Sequence, residues 1–303
     1  MPELAIHTEG LTKHFGDTAA LSGLDLEVPV GGVFGFLGPN GAGKTTAIRL
    51  FLDLVRPSAG RARVLGLDPR HEGVALRRRI GYLPGDLLVD GRQTGSELLT
   101  YLGNLRGGVP NGRIVELAER LQLDLGRRIK TLSRGNRQKI GLIQAFMHDP
   151  DLLVLDEPTS GLDPFLQHEF ADLVREVTDE GRTVFVSSHV MAEIQRTADR
   201  VGIIRHGRLV AVEEVEDLRR RSLRKVSIRF DRPVRAADFA GLPGLLDVRI
   251  EGRELSCRLD GRADALIKEA ARHGVETLLV EEPDLEELFL RYYERGASAD
   301  DAE

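Results

Sequence analysis

The chain has 303 residues, of which 41% are hydrophobic and 30% are charged, a composition typical of globular proteins and unlike that of disordered or fibrous ones. Aromatic residues make up only 5% and tryptophan is absent, so we expect no aromatic platform for stacking nucleic-acid bases. The net charge of -6 weighs against nucleic acid as the main partner, because the phosphate backbone favours positive charge. The length predicts two domains.

The sequence also predicts where the protein is located in the cell. The N-terminal residues MPELAIHTEG contain neither a basic start nor an apolar run, so we expect no signal peptide. No stretch approaches the roughly 18 apolar residues of a transmembrane helix, and any membrane role is expected to come through a partner. The lone cysteine, Cys257, lies in an alternating stretch and is interpreted as a packed strand residue in a reducing compartment.

Strands and helices alternate from residue 1 to about residue 215, which predicts a parallel or mixed sheet with helices on both faces. The stretch Leu152–Leu155 is apolar at every position, as in a central strand buried on both faces. The predicted strands are Ala5–Thr8, Val33–Leu37, Ile80–Leu83, Leu152–Leu155, Val184–Ser187 and Val201–Arg205.

Helical patterns dominate between about residues 92 and 148, which predicts a helical subdomain inserted into the α/β body. Thr94 and Glu97 have the spacing of a capping box at its start. A further helix is predicted over Phe165–Thr178, where apolar residues recur at helical spacing.

The last third of the chain has a different pattern. Residues 217–225 contain five basic residues, interpreted as a solvated helix end or, alternatively, as a contact with anionic lipid headgroups. A small α+β domain is predicted over residues 222–296, followed by a frayed tail over 297–303. Its predicted elements are strands Lys225–Phe230, Asp247–Ile250, Glu254–Leu259 and Thr277–Val280, and helices Asp264–His273 and Leu285–Tyr293.

A phosphate-binding loop is predicted between the strand Val33–Leu37 and a helix. The segment Gly38–Thr45 fits the pattern G-x-x-x-x-G-K-[ST], in which glycines let backbone N–H groups point at a phosphate. Lys44 is expected to reach the β- and γ-phosphates, and the Thr45 hydroxyl to bind Mg²⁺. The residues expected to contact the nucleotide here are Gly38, Pro39, Asn40, Gly41, Ala42, Gly43, Lys44, Thr45 and Thr46.

Two acids follow the buried strand Leu152–Leu155. Asp156 is placed to hold Mg²⁺, and Glu157 to polarise a water that attacks the γ-phosphate. Helix capping is the alternative role for this pair.

The order of the motifs GPNGAGKTT, LSRGNRQ, LLVLDEP, SGLD and SSH resembles that of the ATP-binding subunit of an ABC transporter. This resemblance implies a P-loop NTPase nucleotide-binding domain over residues 1–218, with its helical subdomain at about 92–148. It implies ATP and Mg²⁺ as ligands and a homodimer that encloses two ATP molecules. It also implies a separate transmembrane permease that attaches this cytoplasmic subunit to the inner face of the cell membrane.

The resemblance assigns roles to residues outside the phosphate loop. Phe15 stands where the family keeps an aromatic ring to stack on adenine, and Lys44 joins Glu157 as a catalytic residue. His189 matches the switch histidine that contacts the γ-phosphate, and Asp163 lies in the loop that crosses the dimer interface.

The stretch Leu132–Asn136 matches the signature motif, which implies contact with ATP held by the opposite subunit. Ser133, Gly135 and Asn136 are the implied contact residues, although Arg134 and Asn136 depart from the glycine and glutamine that are commoner there.

Gly85 is a second departure, because the family usually has glutamine at this position. Either Asp86 or a water substitutes for it, or this corner of the site is weaker. The loop Gly85–Gln93, which includes Leu87 and Leu88, is still expected to meet the permease.

The C-terminal 80 residues resemble a small accessory domain found on drug- and antibiotic-export cassettes, which favours export. Two alternatives remain at this point: a soluble ABC-type ATPase acting on ribosomes or DNA, and an ATP-dependent regulator that does not hydrolyse.

Overall fold

The computed structural model describes residues 3–86, 91–110, 112–221 and 223–281. It divides the chain into two compact units, Met1–Glu213 and Glu214–Glu303. The strands and helices of the first unit are β1 (Leu4–Phe15), β2 (Thr18–Pro29), β3 (Gly32–Leu37), α1 (Lys44–Phe51), β4 (Ala59–Val64), α2 (Gly73–Arg78), β5 (Ile80–Leu83), α3 (Gly95–Leu105), α4 (Arg113–Arg120), α5 (Arg134–Phe146), β6 (Leu152–Asp156), α6 (Pro164–Asp179), β7 (Thr183–Ser188), α7 (Met191–Thr197), β8 (Arg200–Arg205) and β9 (Arg208–Glu214).

A six-stranded sheet of order β5-β6-β7-β3-β8-β9 forms the centre of the first unit. Neighbouring strands from β5 to β8 are parallel, and the predicted mixed α/β class is confirmed. Every residue of β6 is buried, as its continuous apolar run predicts. The register pairs Leu37 with Ser188 and Asp156 with Ser187. The carboxyl ends of β3, β6 and β7 therefore meet at one edge of the sheet.

A second, antiparallel sheet of order β2-β1-β4 packs on the first. Only part of β1 was predicted from the sequence, and β2, β4 and β9 were not. The two sheets share one core, in which the ring of Phe185 lies 5.9 Å from that of Phe34 and 5.6 Å from that of Phe51. The β1–β2 hairpin thus lies against the sheet that carries the phosphate loop.

Helices α3, α4 and α5 occupy the region where a helical subdomain is predicted. The capping box at Thr94 is present, with the Glu97 N–H donating to Thr94 Oγ1 over 3.2 Å. The predicted helix over Phe165–Thr178 is α6, which extends it by one residue at each end.

Arg106, the residue that follows α3, connects this helix to β5. Its Nη1 donates to the carbonyl oxygen of Arg77 over 3.1 Å and lies 2.9 Å from His148 Nε2. The same His148 nitrogen lies 3.1 Å from the carbonyl oxygen of Ile80. Burial, together with the neighbouring Arg106 charge, lowers the pKa of His148 to about 4.

The second unit contains α8 (Val215–Arg221), β10 (Arg224–Phe230), α9 (Ala236–Phe239), β11 (Leu245–Glu251), β12 (Glu254–Leu259), α10 (Asp264–Ala270) and β13 (Val275–Glu281). After α8 the order is β-α-β-β-α-β, and the strands form an antiparallel sheet of order β11-β12-β10-β13. This is the split βαβ arrangement of ferredoxin-like domains.

The core of the second unit lies on one face of this sheet. Phe230, Phe239 and Cys257 are buried there, which confirms the prediction that Cys257 is a packed strand residue. The predicted helix Leu285–Tyr293 and the tail 297–303 lie outside the described residues. In α8, Arg219 and Arg220 form ion pairs with Glu216 and Asp217, so part of the basic run is neutralised locally.

Across the described parts of both units, no helix is at once long enough and apolar enough to cross a membrane.

Candidate functional site

The phosphate loop joins the end of β3 to the start of α1, and its glycines are required by backbone geometry. Gly41 and Gly43 have φ angles of 83° and 108°, in the left-handed region that favours glycine. A Cβ on Gly38 would lie only 2.4 Å from the carbonyl oxygen of Ile204. The loop therefore curls tightly over the end of the sheet, with the first turn of α1 directly behind it.

Lys44 is the first residue of α1, and only 5% of its side chain is exposed. Its Nζ donates to the carbonyl oxygens of Gly38 and Pro39, over 2.6 and 3.2 Å, and lies 3.6 Å from Glu157 Oε1. Burial lowers the pKa of Lys44, while the Glu157 carboxylate opposes this shift. The ammonium group is thus held inside the curl of the loop, beside the Glu157 carboxylate.

Asp156 is buried at the end of β6 and is held by two hydroxyls. Thr45 Oγ1 donates to its Oδ2 over 2.8 Å, and Ser187 Oγ donates to its Oδ1 over 2.6 Å. Ser187 was not predicted as a site residue, although it lies in the SSH motif at the end of a predicted strand. The two hydroxyls fix the orientation of the carboxylate at the edge of the sheet.

Glu157 directly follows Asp156 and has a φ angle of 50°, which is unusual for a residue other than glycine. Backbone strain of this kind clusters at functional sites. Glu157 Oε1 lies 3.1 Å from His189 Nδ1. Its backbone is fixed by Ser187, whose Oγ accepts from the Glu157 N–H over 3.2 Å, and by Gln138, whose Nε2 donates to the Glu157 carbonyl over 3.2 Å. Gln138 is a second residue that the sequence analysis missed, and its buried position on α5 became visible only with the fold.

An open cleft of about 370 Å³ lies in front of these groups. Gly85 is on its wall, where a Cβ would lie 3.3 Å from Asp156 Oδ2. Burial and the charge of Asp156 raise the pKa of the neighbouring Tyr82 to about 12. The residues that line the cleft are Thr45, Arg49, Tyr82, Pro84, Gly85, Asp86, Arg134, Asp156 and Glu157.

The oxygen atoms of Thr45 and Asp156 fit a Mg²⁺ ion, because this ion prefers hard oxygen ligands and takes few of them from the protein. Among the described residues, no group of three or more His, Cys, Asp or Glu side chains could hold a metal. A site with one carboxylate and one hydroxyl agrees with a metal that takes its other ligands from phosphate and water.

Comparisons with known proteins agree with this geometry. A family profile described as "ABC transporter" matches residues 21–160. The daunorubicin resistance ATP-binding protein DrrA3 of Streptomyces coeruleorubidus is 36% identical over 307 residues, which cover 96% of each chain. The chain belongs to the ABC transporter family.

Other relatives of this ABC transporter chain match about 70% of its length. The daunorubicin/doxorubicin resistance ATP-binding protein DrrA of Streptomyces peucetius is 42% identical over 215 residues, which cover 69% of this chain but only 65% of that protein. A solved ATP-binding subunit of an ABC transporter is 26% identical, with a TM-score of 0.65, and covers 71% of this chain and 92% of that one. A dimeric ATP-binding cassette bound to ADP and Pi has the same fold at 21% identity, with a TM-score of 0.62 and coverages of 69% and 98%.

The residues of the predicted signature motif and of the SGLD loop make contacts within their own chain, mainly as helix caps. Ser133 caps α5, its Oγ accepting from the Asn136 N–H over 3.2 Å, and Asp163 caps α6, its Oδ1 accepting from the Leu166 N–H over 3.0 Å. A Cβ on Gly135 would lie 2.6 Å from the carbonyl oxygen of Gly161. The signature loop therefore packs on the SGLD loop of its own chain.

Phe15, at the end of β1, is 50% exposed. Lys13 Nζ lies 4.9 Å from the centre of its ring, a cation–π contact. Asn40 is exposed on the phosphate loop, and Thr46 is half-buried in the first turn of α1.

Proposed function

We propose that this chain binds and hydrolyses ATP and that hydrolysis drives export through a separate membrane permease. The observation that carries the proposal is the convergence of Lys44, Thr45, Asp156, Glu157 and His189 on one edge of the sheet. These residues come from the ends of two strands, β6 and β7, and from the start of helix α1. They supply a cation, a pair of metal-ligating oxygens, a carboxylate and an imidazole within hydrogen-bond or ion-pair distance of one another.

In the proposed reaction, the N–H groups of the loop Gly38–Thr45 and the Lys44 ammonium bind the phosphates of ATP. The developing negative charge is stabilised by these groups because they are already in position. Thr45 and Asp156 would hold Mg²⁺, which supplies charge neutralisation at the phosphate oxygens.

Glu157 is proposed to orient and polarise the attacking water. Its carboxylate is well placed for this, because its backbone is tied to β7 and α5 and one of its oxygens is 3.1 Å from His189. His189 is proposed to keep this carboxylate in position and to contact the γ-phosphate. The presence of both residues favours hydrolysis over the alternative of a regulator that only binds ATP.

We further propose that Ser133, Gly135, Asn136 and Asp163 act on ATP bound by a second copy of the chain. Ser133 supports this role: its oxygen already accepts a bond within α5, and its hydroxyl proton stays available for a phosphate oxygen. The start of α5 also favours an anion through the helix dipole. Phe15 is proposed to carry the adenine ring on the face that Lys13 leaves open.

The proposals of a permease and of export rest on the names of the relatives, which are daunorubicin resistance ATP-binding proteins. We propose that the ATP-binding domain spans residues 1–218, that residues 222–296 are the accessory domain, and that the permease holds the subunit at the inner face of the membrane. Of the proposed coupling loop Gly85–Gln93, Leu87 and Leu88 lie outside the described residues. Tyr101 and Leu105, one turn apart on α3, are exposed apolar residues that suit such a contact.

The experiment is a measurement of phosphate release from ATP by the purified full chain, with and without Mg²⁺. We expect Mg²⁺-dependent turnover that the chelator EDTA abolishes. Binding of ATP without any turnover, in the free chain and beside its co-expressed permease, would leave the regulator as the better description.

A further inference from the structure

The turn between β8 and β9 lies behind the phosphate loop and is tightly wound. Only His206 and Gly207 separate the two strands, and their φ angles are 46° and 74°. Two residues with positive φ are what a two-residue type I′ hairpin requires. The backbone conformation of Gly207 is therefore the one that the hairpin requires.

Gly207 is buried, and its backbone forms hydrogen bonds to two separate segments. Its N–H donates to the carbonyl oxygen of Ala42, within the phosphate loop, over 3.0 Å. Its carbonyl oxygen accepts from the N–H of Ser22, in β2, over 2.9 Å. One residue thus links the phosphate loop to a strand of the antiparallel sheet.

The three backbones approach so closely that no side chain fits between them. A Cβ on Gly207 would lie 2.9 Å from both the Ala20 carbonyl oxygen and the Leu21 Cα. A Cβ on Gly43, the last glycine of the phosphate loop, would lie 2.6 Å from the same oxygen of Ala20 and 3.5 Å from the Gly207 Cα. The contact is made by backbone atoms on both sides. Because the packing is this close, a displacement of one segment displaces the other.

Strand β2 leads from this contact to the proposed adenine platform. Its first residue, Thr18, pairs with Phe15 of β1, two residues before Ala20. The backbone of Gly207 therefore lies between the groups proposed to bind the two ends of one nucleotide.

We propose that Gly207 is a positioning residue for the nucleotide site, whose backbone sets the distance between the phosphate loop and the strand that carries Phe15. The inference rests on the proposed function, because it assumes that both groups bind the same nucleotide. Any side chain at residue 207 would push the phosphate loop and β2 apart, and a ligand that spans both would bind less tightly.

The test compares Gly207→Ala with Gly66→Ala in the full chain. Gly66 is a matched control, since its φ is 76° but no atom lies within 4 Å of its Cβ position. Both variants force alanine into the left-handed region and should lower the unfolding temperature. Only Gly207→Ala should weaken the binding of Mg²⁺–ADP measured by calorimetry, by about tenfold or more, because small misplacements of binding groups are costly.

A second measurement separates positioning from a general loss of structure. In a Phe15→Ala background the platform is already missing, so the loss of ADP affinity caused by Gly207→Ala should shrink. An equal loss in both backgrounds, or unchanged ADP affinity in Gly207→Ala, would overturn the proposal. If Gly207→Ala does not fold, Gly207→Asn is measured beside Gly66→Asn, because asparagine adopts the left-handed region more readily. A wild-type chain that binds no ADP would instead refute the proposed function.

Discussion

Thr45 Oγ1 donates a 2.8 Å hydrogen bond to Oδ2 of Asp156, a residue 111 positions later in the chain. The bond joins the first turn of α1 to the end of β6, and it holds together two oxygens that suit a single Mg²⁺ ion. A third group, Ser187 Oγ, fixes the other oxygen of the carboxylate. The residues proposed for metal binding are thus oriented by the fold itself.

Replacing Glu157 by glutamine should preserve ATP binding and reduce turnover by about 10²–10⁴-fold, the usual contribution of a general base. The amide keeps the shape of the side chain and its contact with His189, but it accepts no proton from water. Turnover and ATP affinity are measured on the same preparation. Glu180→Gln, at an exposed residue paired with Arg182, is the control and should behave as wild type. Near-normal turnover in Glu157→Gln would remove Glu157 from the proposed chemistry.

Replacing Lys44 by alanine should weaken ATP binding by about tenfold or more, since each charge-assisted hydrogen bond contributes on the order of 1.5–3 kcal/mol. The loop also loses the bonds from Nζ to the carbonyls of Gly38 and Pro39. Titration calorimetry with ATP measures the affinity. Lys268→Ala, at an exposed lysine in the second unit, should leave it unchanged. Equal affinity of Lys44→Ala and wild type would contradict the assignment.

The proposed action of Ser133 on a second copy is tested best by Ser133→Asp. Aspartate keeps the cap of α5 but would place a carboxylate against the γ-phosphate of the partner's ATP, where like charges repel. We expect normal ATP binding by the monomer and no ATP-driven dimer in size-exclusion chromatography of the variant that also carries Glu157→Gln. Ser133→Asn, a neutral cap, should dimerise better than Ser133→Asp. Similar dimerisation of both would refute the role.

Gly135 is a less suitable position for this test. A Cβ there would lie 2.6 Å from the carbonyl oxygen of Gly161 in the same chain. Any substitution would therefore shift the SGLD loop as well as the surface facing a partner, and the two effects would be indistinguishable.

The folded chain should become less stable at acidic pH because of the buried His148. Its pKa is lowered from 6.5 to about 4 in the folded chain, so between these values the unfolded chain binds a proton that the folded chain does not. The free energy of unfolding should therefore decrease as the pH falls through this window, by about 1–3 kcal/mol. Urea unfolding at several pH values measures it. His148→Gln should lose less stability than wild type between these pH values. Identical slopes for the two proteins would show that His148 does not contribute.

The sequence identified the parallel sheet because its strands are strongly apolar and its phosphate loop has a specific glycine pattern. The antiparallel sheet was harder to predict. In β4, only Val64 is buried, and the remaining small and charged residues form no alternating pattern. That strand exists because its backbone pairs with β1, from Ile6 opposite Val64 onward, and such a partner is not visible in local sequence.

The residues of the candidate site also differ in how well the sequence predicts them. Lys44 and Asp156 follow directly from the motifs, since each stands at a strand end or helix start that the motif itself defines. Ser187 and Gln138 do not, because their roles depend on which strand and helix lie beside Asp156 and Glu157 in space. The sequence therefore predicts the groups proposed to touch the nucleotide better than the groups that hold them.

The parallel register that brings the ends of β3, β6 and β7 to one edge also links ligand binding to folding. The oxygens and the ammonium group of this edge come together only when the whole sheet has formed, so an unfolded chain offers the ligand no comparable site. A nucleotide present at 100 times its dissociation constant would then add about 2.7 kcal/mol to the free energy of unfolding. Resistance of this unit to heat or denaturant is, on that account, a joint property of the polypeptide and the nucleotide concentration around it.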